Sequence, residues 1–139
     1  MYDIFIQQMR DEVVKVGAKE LRTPSDVEQN FSNQKGTALV VVNSTCGCAA
    51  GSARPALALS LQHSAKPDAV VTVFAGIDKE ATAKAREYFT AQPPSSPSFV
   101  LMKDGKFLDM VHRHQIEGHS PEQIALRLTT MFDKHCSKN

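Results

Sequence analysis

Two thiols one residue apart, Cys46 and Cys48 with Gly47 between them, are the side chains best suited to covalent chemistry. A thiolate attacks disulfide sulfur and also ligates soft metals, so the pair admits thiol-disulfide exchange or coordination. Cys136 is the third cysteine, and three in 139 residues are too few for a disulfide framework. The spacing constrains the product of oxidation. Cysteines three apart fall on nearly one helix face, whereas two apart lie about 200° around a helix of 3.6 residues per turn. A Cys-x-Cys ring in helical geometry is therefore strained, and Gly47 supplies the backbone freedom that brings the Cα atoms within range. Strain makes a disulfide easier to reduce, so the spacing predicts a couple that favours its dithiol form more than an unstrained Cys-x-x-Cys does.

Coordination would need further donors. Those available are Cys136 and the histidines His63, His112, His114, His119 and His135. A metal or iron-sulfur binding module using Cys46 and Cys48 is the first rival to redox catalysis. A non-catalytic redox sensor, in which Cys46 is modified and a partner reads the change, is the second.

The elements that must position the thiols follow from periodicity. Thr37 to Asn43 is a continuous β-branched run, the pattern of a strand covered on both faces of a parallel sheet, and Val70 to Ala75 repeats it. Between them an alanine- and leucine-rich stretch to about Gln62 favours a helix. Pro55 should kink it by deleting an amide donor and crowding the Gly51 carbonyl. The cysteines thus sit where the strand feeds the helix. Cys46 precedes the first turn, where unpaired amides and the positive end of the helix dipole stabilise a thiolate, so it is the better candidate for attack and Cys48 for resolution.

Outside this unit, Phe5, Ile6, Met9, Val13 and Val16 predict an amphipathic helix ending near Gly17. Thr23, Pro24 and Asp26 start a short, mostly polar and superficial helix through about Gln34. Asp78 should cap a helix running to about Thr90, with Ala81, Ala85, Tyr88 and Phe89 inward. Asp104-Gly105 between apolar runs is a hairpin signal joining strands at 99–102 and 107–111. Ser120, Pro121 and Gln123 open a last helix, with Ile124, Leu128, Met131, Phe132 and His135 on one face. His112 and His114 point to one side at the end of the hairpin and read as solvent-exposed. Cys136, at the edge of the last helix, reads as a passive thiol.

Composition fits this α/β reading with one domain over 1–139. Hydrophobic residues make up 42% and charged residues 22%, which argues against disorder. A formal charge of +1 lacks the basic excess of a nucleic-acid binder. No apolar run approaches a membrane span, and the first residues lack the pattern of a secretory signal, so the expected location is the cytoplasm.

The order β-α-β-α-β-β-α, with cysteines at the end of the first strand, resembles the layout of thioredoxin-like proteins: a central mixed sheet flanked by helices, here with extra N-terminal helices. In that layout Ser96-Pro97 stands where such proteins place a cis-proline opposite the nucleophile. More specifically, Val41-Val42-Asn43-Ser44-Thr45-Cys46-Gly47-Cys48-Ala49-Ala50-Gly51, with Ala53-Arg54-Pro55 following, resembles the bacilliredoxin family. Family-like segments recur at Val71 to Gly76, Asp78 to Thr82, Arg86 to Phe89, Pro94 to Ser98, and Arg113-His114 with Ile116 to His119. Ile77 and His112 depart from the pattern, standing where a polar residue and a proline are expected. The resemblance implies an exchanger, without a bound cofactor, that removes bacillithiol from protein mixed disulfides and has some isomerase capacity. Cys46 would attack, and a second bacillithiol or Cys48 would release the adduct. Gly47, Ser96 and Pro97 would support the site.

Overall fold

The β-branched runs form the middle of a five-stranded sheet. The computed structural model describes residues 2–90 and 92–136. The strands are β1 (Lys19–Glu20), β2 (Thr37–Asn43), β3 (Ala69–Phe74), β4 (Ser98–Lys103) and β5 (Lys106–Val111), in the spatial order β1-β3-β2-β4-β5. β1 and β2 lie parallel to β3, while β4 runs antiparallel to β2 and β5 antiparallel to β4. All seven residues of β2 are buried, as the uninterrupted Thr37–Asn43 run requires of a central strand.

Alternation along the strands divides the core in two. Leu39, Val41, Phe99 and Leu101 face α1 (Tyr2–Val14), α3 (Arg54–Ser60) and α5 (Pro121–His135). Val40, Val42, Val100 and Met102 face α2 (Pro24–Ser32) and α4 (Lys79–Arg86). The hairpin turn places Asp104 and Gly105 at φ 51° and 81°, the pair of positive values that a two-residue primed turn demands. A Cβ on Gly105 would come within 2.7 Å of the Phe31 carbonyl oxygen, so glycine is required there by space as well as by dihedral.

Several sequence expectations need correction. Phe5 was placed on the apolar stripe of α1 but is exposed; the inward face is Ile6, Arg10 and Val13. Arg10 enters the interior because it forms a two-pronged contact with Asp78 (2.7 and 3.0 Å), a third bond to Glu20 (2.9 Å), and lies over the Phe74 ring. That contact also explains why Asp78, though it stands before α4, makes no side-chain cap: its carboxylate is held by Arg10. The α2 helix is not superficial, since Val27 and Phe31 are fully buried and Phe31 meets Tyr88 edge to face at 4.9 Å. Burying such a ring contributes about 2–3 kcal/mol, enough to anchor an otherwise polar helix.

The helices α3 and α4 end earlier than expected, at Ser60 and Arg86. Strand β1 was not foreseen. Pro55 lies in the first turn of α3, where its missing amide is harmless, and the irregularity falls just before it as a π-helical turn over Ala49–Ala53. A Cβ on Gly51 would meet nothing within 4 Å, so relief of crowding is not what glycine provides there.

Candidate active site

After Asn43 the chain leaves the sheet through Ser44 and Thr45, and Gly47 and Cys48 are the first helical residues. Cys46 stands at the cap. Its carbonyl accepts hydrogen bonds from the amides of Ala49 (3.1 Å) and Ala50 (3.4 Å), and its own amide donates to Ser44 Oγ (3.2 Å). The loop is held from below by Arg54, whose Nη1 donates to Asn43 Oδ1 (2.9 Å) and to the Ser44 carbonyl (3.0 Å). The Arg54 Nε pairs with Glu12, and Asn43 Nδ2 donates to the Met9 carbonyl (3.2 Å), so α1 is tied to the thiol loop at two points. Arg54 is buried, and its charge is supportable only because these acceptors surround it.

The two thiols differ in acidity. Burial pushes the Cys46 thiol up, but the facing Cys48 thiol, the Ser44 hydroxyl and the amides of Ala49 and Cys48 outweigh it, and Cys46 lies below the ordinary thiol value. Cys48 moves the other way: burial raises it, the neighbouring Cys46 sulfur and its charge raise it further, and Arg113 opposes them. The pair therefore loses its first proton from Cys46 and keeps the second on Cys48.

This geometry alters the spacing argument. Two residues apart would mean opposite helix faces if both cysteines were helical, but Cys46 lies outside the helix and its sulfur faces that of Cys48. Gly47 is exposed, and a Cβ built on it would meet nothing within 4 Å. The dithiol state has no steric need for glycine at that position.

The Ser96-Pro97 bond is cis. Ser98 pairs with Val42, so the loop lies at the end of the sheet where β2 delivers the cysteines. Between the two stands Arg113, opening a short 3-10 turn (Arg113–Gln115) after β5. Its amide donates to Ser95 Oγ (2.8 Å), its Nη1 to the Ser96 carbonyl (3.1 Å), and its Nε to Glu117 (2.9 Å). Bonding to Glu117, followed by the charges available on Cys48 and Cys46, holds the guanidinium more firmly protonated than usual. His112 and His114 stack at 5.4 Å on either side of it in sequence; His114 is exposed and His112 half-buried.

Arg113 and Arg54 were not singled out as site residues from the sequence. For Arg54 a signal existed, a lone charge inside an apolar helix beside a proline. Arg113 had none, because its partners lie about 17 residues away across the hairpin.

Cys136 belongs elsewhere. It ends α5 next to Thr37, the first residue of β2, and burial pushes its thiol up, partly opposed by Thr37. A seven-residue strand spans about 20 Å, so β2 separates Cys136 from Cys46. Among the described residues no three of His, Cys, Asp and Glu gather closely enough to hold a metal ion. His63 and His135 are engaged with Asp133 (2.8 Å) and Asp109 (3.1 Å). No described helix is long and apolar enough to cross a membrane.

Comparison with known proteins agrees with this arrangement. A family model described as disulphide isomerase matches residues 2–136. A bacilliredoxin of Geobacillus kaustophilus is 54% identical over 138 residues, covering 99% of this chain and 94% of the relative. One from Bacillus cereus is 55% identical over 133 residues, or 96% of this chain and 92% of the relative. Among solved structures, Fasciola hepatica thioredoxin matches with a TM-score of 0.57 at 23% identity, over 84% of this chain and 98% of that one. Reduced Schistosoma mansoni thioredoxin pre-protein gives 0.55 at 19% identity over the same shares. At such identities the thioredoxins establish the fold alone, which is thioredoxin-like. Sequence identity sustained along nearly the full length, in a chain whose cysteines open a helix after the central strand, shows that it belongs to the bacilliredoxin family and is a thiol-disulfide oxidoreductase.

Proposed function

We propose that the protein removes bacillithiol, or a similar low-molecular-weight thiol, from mixed disulfides on cytoplasmic proteins, with Cys46 as nucleophile and Cys48 as resolving partner. The observation that carries this reading is the split in acidity, with Cys46 depressed by donors aimed at its sulfur and Cys48 raised beside it. At neutral pH the first is the readier thiolate and the second the reserve proton.

In the first step the Cys46 thiolate attacks the small thiol's sulfur in the mixed disulfide. The new bond forms at Cys46 as the old one breaks, and the client sulfur leaves as a thiolate that takes a proton from water. One disulfide is consumed and one is made, so the exchange itself has no net redox change. A second molecule of the small thiol, as thiolate, then attacks the adduct and departs with its twin as a symmetrical disulfide. Alternatively Cys48 gives up its proton and attacks Cys46 sulfur, expelling the small thiol and leaving a Cys46–Cys48 disulfide for an external thiol to reduce. The same steps on a client's own disulfides constitute isomerase activity. Gly47 frees the backbone for ring closure, and Ser96 and Pro97 form the wall along which an extended client segment lies.

The couple should favour the dithiol, with a potential less negative than the roughly −270 mV of thioredoxin. The supporting cause shifts from ring strain alone to stabilisation of the reduced pair by the hydrogen-bonded thiol and thiolate. Mass spectrometry after reaction with bacillithiol disulfide tests the assignment. Cys48→Ser should accumulate the adduct on Cys46 and Cys46→Ser should accumulate none; an adduct on Cys48 or Cys136 alone would reject it.

A further inference from the structure

Beside the thiols runs a cleft of about 680 Å³, with Pro93 to Ser96 on one side and His112 to Glu117 on the other. That volume suits a small ligand rather than a folded partner. Arg113 belongs to its wall and is also the residue whose charge acts on both thiols, so the cleft starts where the cysteines stand. Arg113 itself is committed: Nε to Glu117 and Nη1 to the Ser96 carbonyl.

The second guanidinium in the cleft is Arg86, the last residue of α4, and its situation is different. It is half-buried, and among the described residues no carboxylate or carbonyl accepts from it. Burial accordingly weakens its hold on its proton, with no acid to restore it. Elsewhere in this protein the partly or fully buried arginines are all partnered, Arg10 by Asp78 and Glu20, Arg54 by Glu12, Asn43 and Ser44. The one acid on the cleft wall, Glu117, already serves Arg113. The cleft therefore has an uncompensated cation, and a carboxylate suits it best, since a guanidinium binds that group through two parallel hydrogen bonds.

We propose that this cleft seats the small-thiol half of the mixed disulfide, that the thiol it selects bears a carboxylate, and that Arg86 is the residue that binds the carboxylate. The inference rests on the exchange reaction proposed above and adds the site and charge of the leaving thiol. The attacked sulfur lies at the Cys46 end and the anionic tail extends toward Arg86. The neutral wall of Ser95 and Ser96 and the stacked pair His112 and His114 line the path between them.

The test uses the full chain and one reporter peptide carrying three mixed disulfides in turn: with mercaptosuccinate, with neutral 2-mercaptoethanol, and with cationic cysteamine. The native protein should prefer the mercaptosuccinate disulfide, and Arg86→Gln should reduce that preference about tenfold, since a charge-assisted pair is worth well over 1 kcal/mol. The loss should appear in KM with kcat kept, Arg86→Lys should recover part of it, and turnover of the neutral disulfide should not change. An unaltered preference in Arg86→Gln, or equal slowing of all three disulfides, would overturn the inference while leaving the exchange activity in place. Failure of the native protein to turn over any disulfide would instead reject the exchange reading. A second measurement stands apart from turnover: titration with succinate, which has no thiol, should shift the Arg86 Nε–H NMR signal. No shift at that signal would overturn the carboxylate site whatever the kinetics show.

Discussion

The two ends of β2 hold thiols in opposite conditions. At the far end, Cys136 is buried against Thr37, and burial pushes its proton affinity up. At the near end, burial also acts on Cys46, yet the Cys48 thiol, the Ser44 hydroxyl and two amides reverse the shift. Both cysteines are only partly accessible. The contrast shows that acidity here is set by how many donors converge on the sulfur, and that a strand-to-helix junction is what brings them together.

The largest difference should appear on removing the sulfurs themselves. Cys46→Ser should abolish exchange with any mixed disulfide, whereas Cys136→Ser should leave the rate unchanged; a large loss in the latter would break the contrast. Next is Arg54→Met, which leaves Asn43 Oδ1 and the Ser44 carbonyl short of a donor. It should cost about 2–3 kcal/mol in denaturant unfolding, tempered by the partial exposure of Glu12. In the fraction that remains folded, it should slow alkylation of Cys46 and leave Cys136 as it was.

Alkylation against pH sharpens the comparison. Because the Cys46 pKa is lowered, its thiolate persists to lower pH and its rate declines only as pH falls through that lowered value. The Cys136 pKa is raised, so its rate climbs only at alkaline pH. At pH 7 the ratio of the two rates, read by mass spectrometry with iodoacetamide, should be about tenfold or more, one unit of pKa difference corresponding to that factor. The smallest effect is expected from Ser44→Ala, which removes one of several donors and should slow Cys46 alkylation about three- to fivefold at pH 7. Equal rates in the variant and the native protein would show that the amides suffice.

Much of the frame was readable in the chain because its decisive residues act locally. Thr37 to Asn43 is a strand by composition, Asp104-Gly105 a turn by dihedral demand, and Ser120 with Gln123 a helix start by reciprocal capping, which the 2.8 and 3.1 Å bonds confirm. Strand β1 escaped notice because Lys19 and Glu20 have no strand character of their own and exist as a strand only through pairing with Val71 and Thr72. Phe31 was hidden for a related reason: two apolar residues four apart are too few to announce a buried face until Tyr88 arrives from α4. At the site, the cysteines were legible by type and spacing. Arg86 and Arg113 were quoted only within longer segments, since a surface arginine and a cleft arginine look alike until the chain folds.

The π-helical turn at Ala49–Ala53 has a consequence for how the catalytic loop and the core share one helix. In that turn the Arg54 amide reaches back five residues to the Ala49 carbonyl, which amounts to one residue inserted into the helix. Each residue of an α-helix advances about 100° around the axis, so an insertion rotates all that precedes it against all that follows by about that angle. With it, Cys48 can open the helix at the sheet edge while Arg54 turns beneath the loop and Ala56 and Leu57 face the core. Deleting one residue within 50–52 would restore an uninterrupted helix and put the two halves out of phase. Either the thiols or the apolar stripe would then face the wrong way, so the length of this segment is as tightly constrained as its composition.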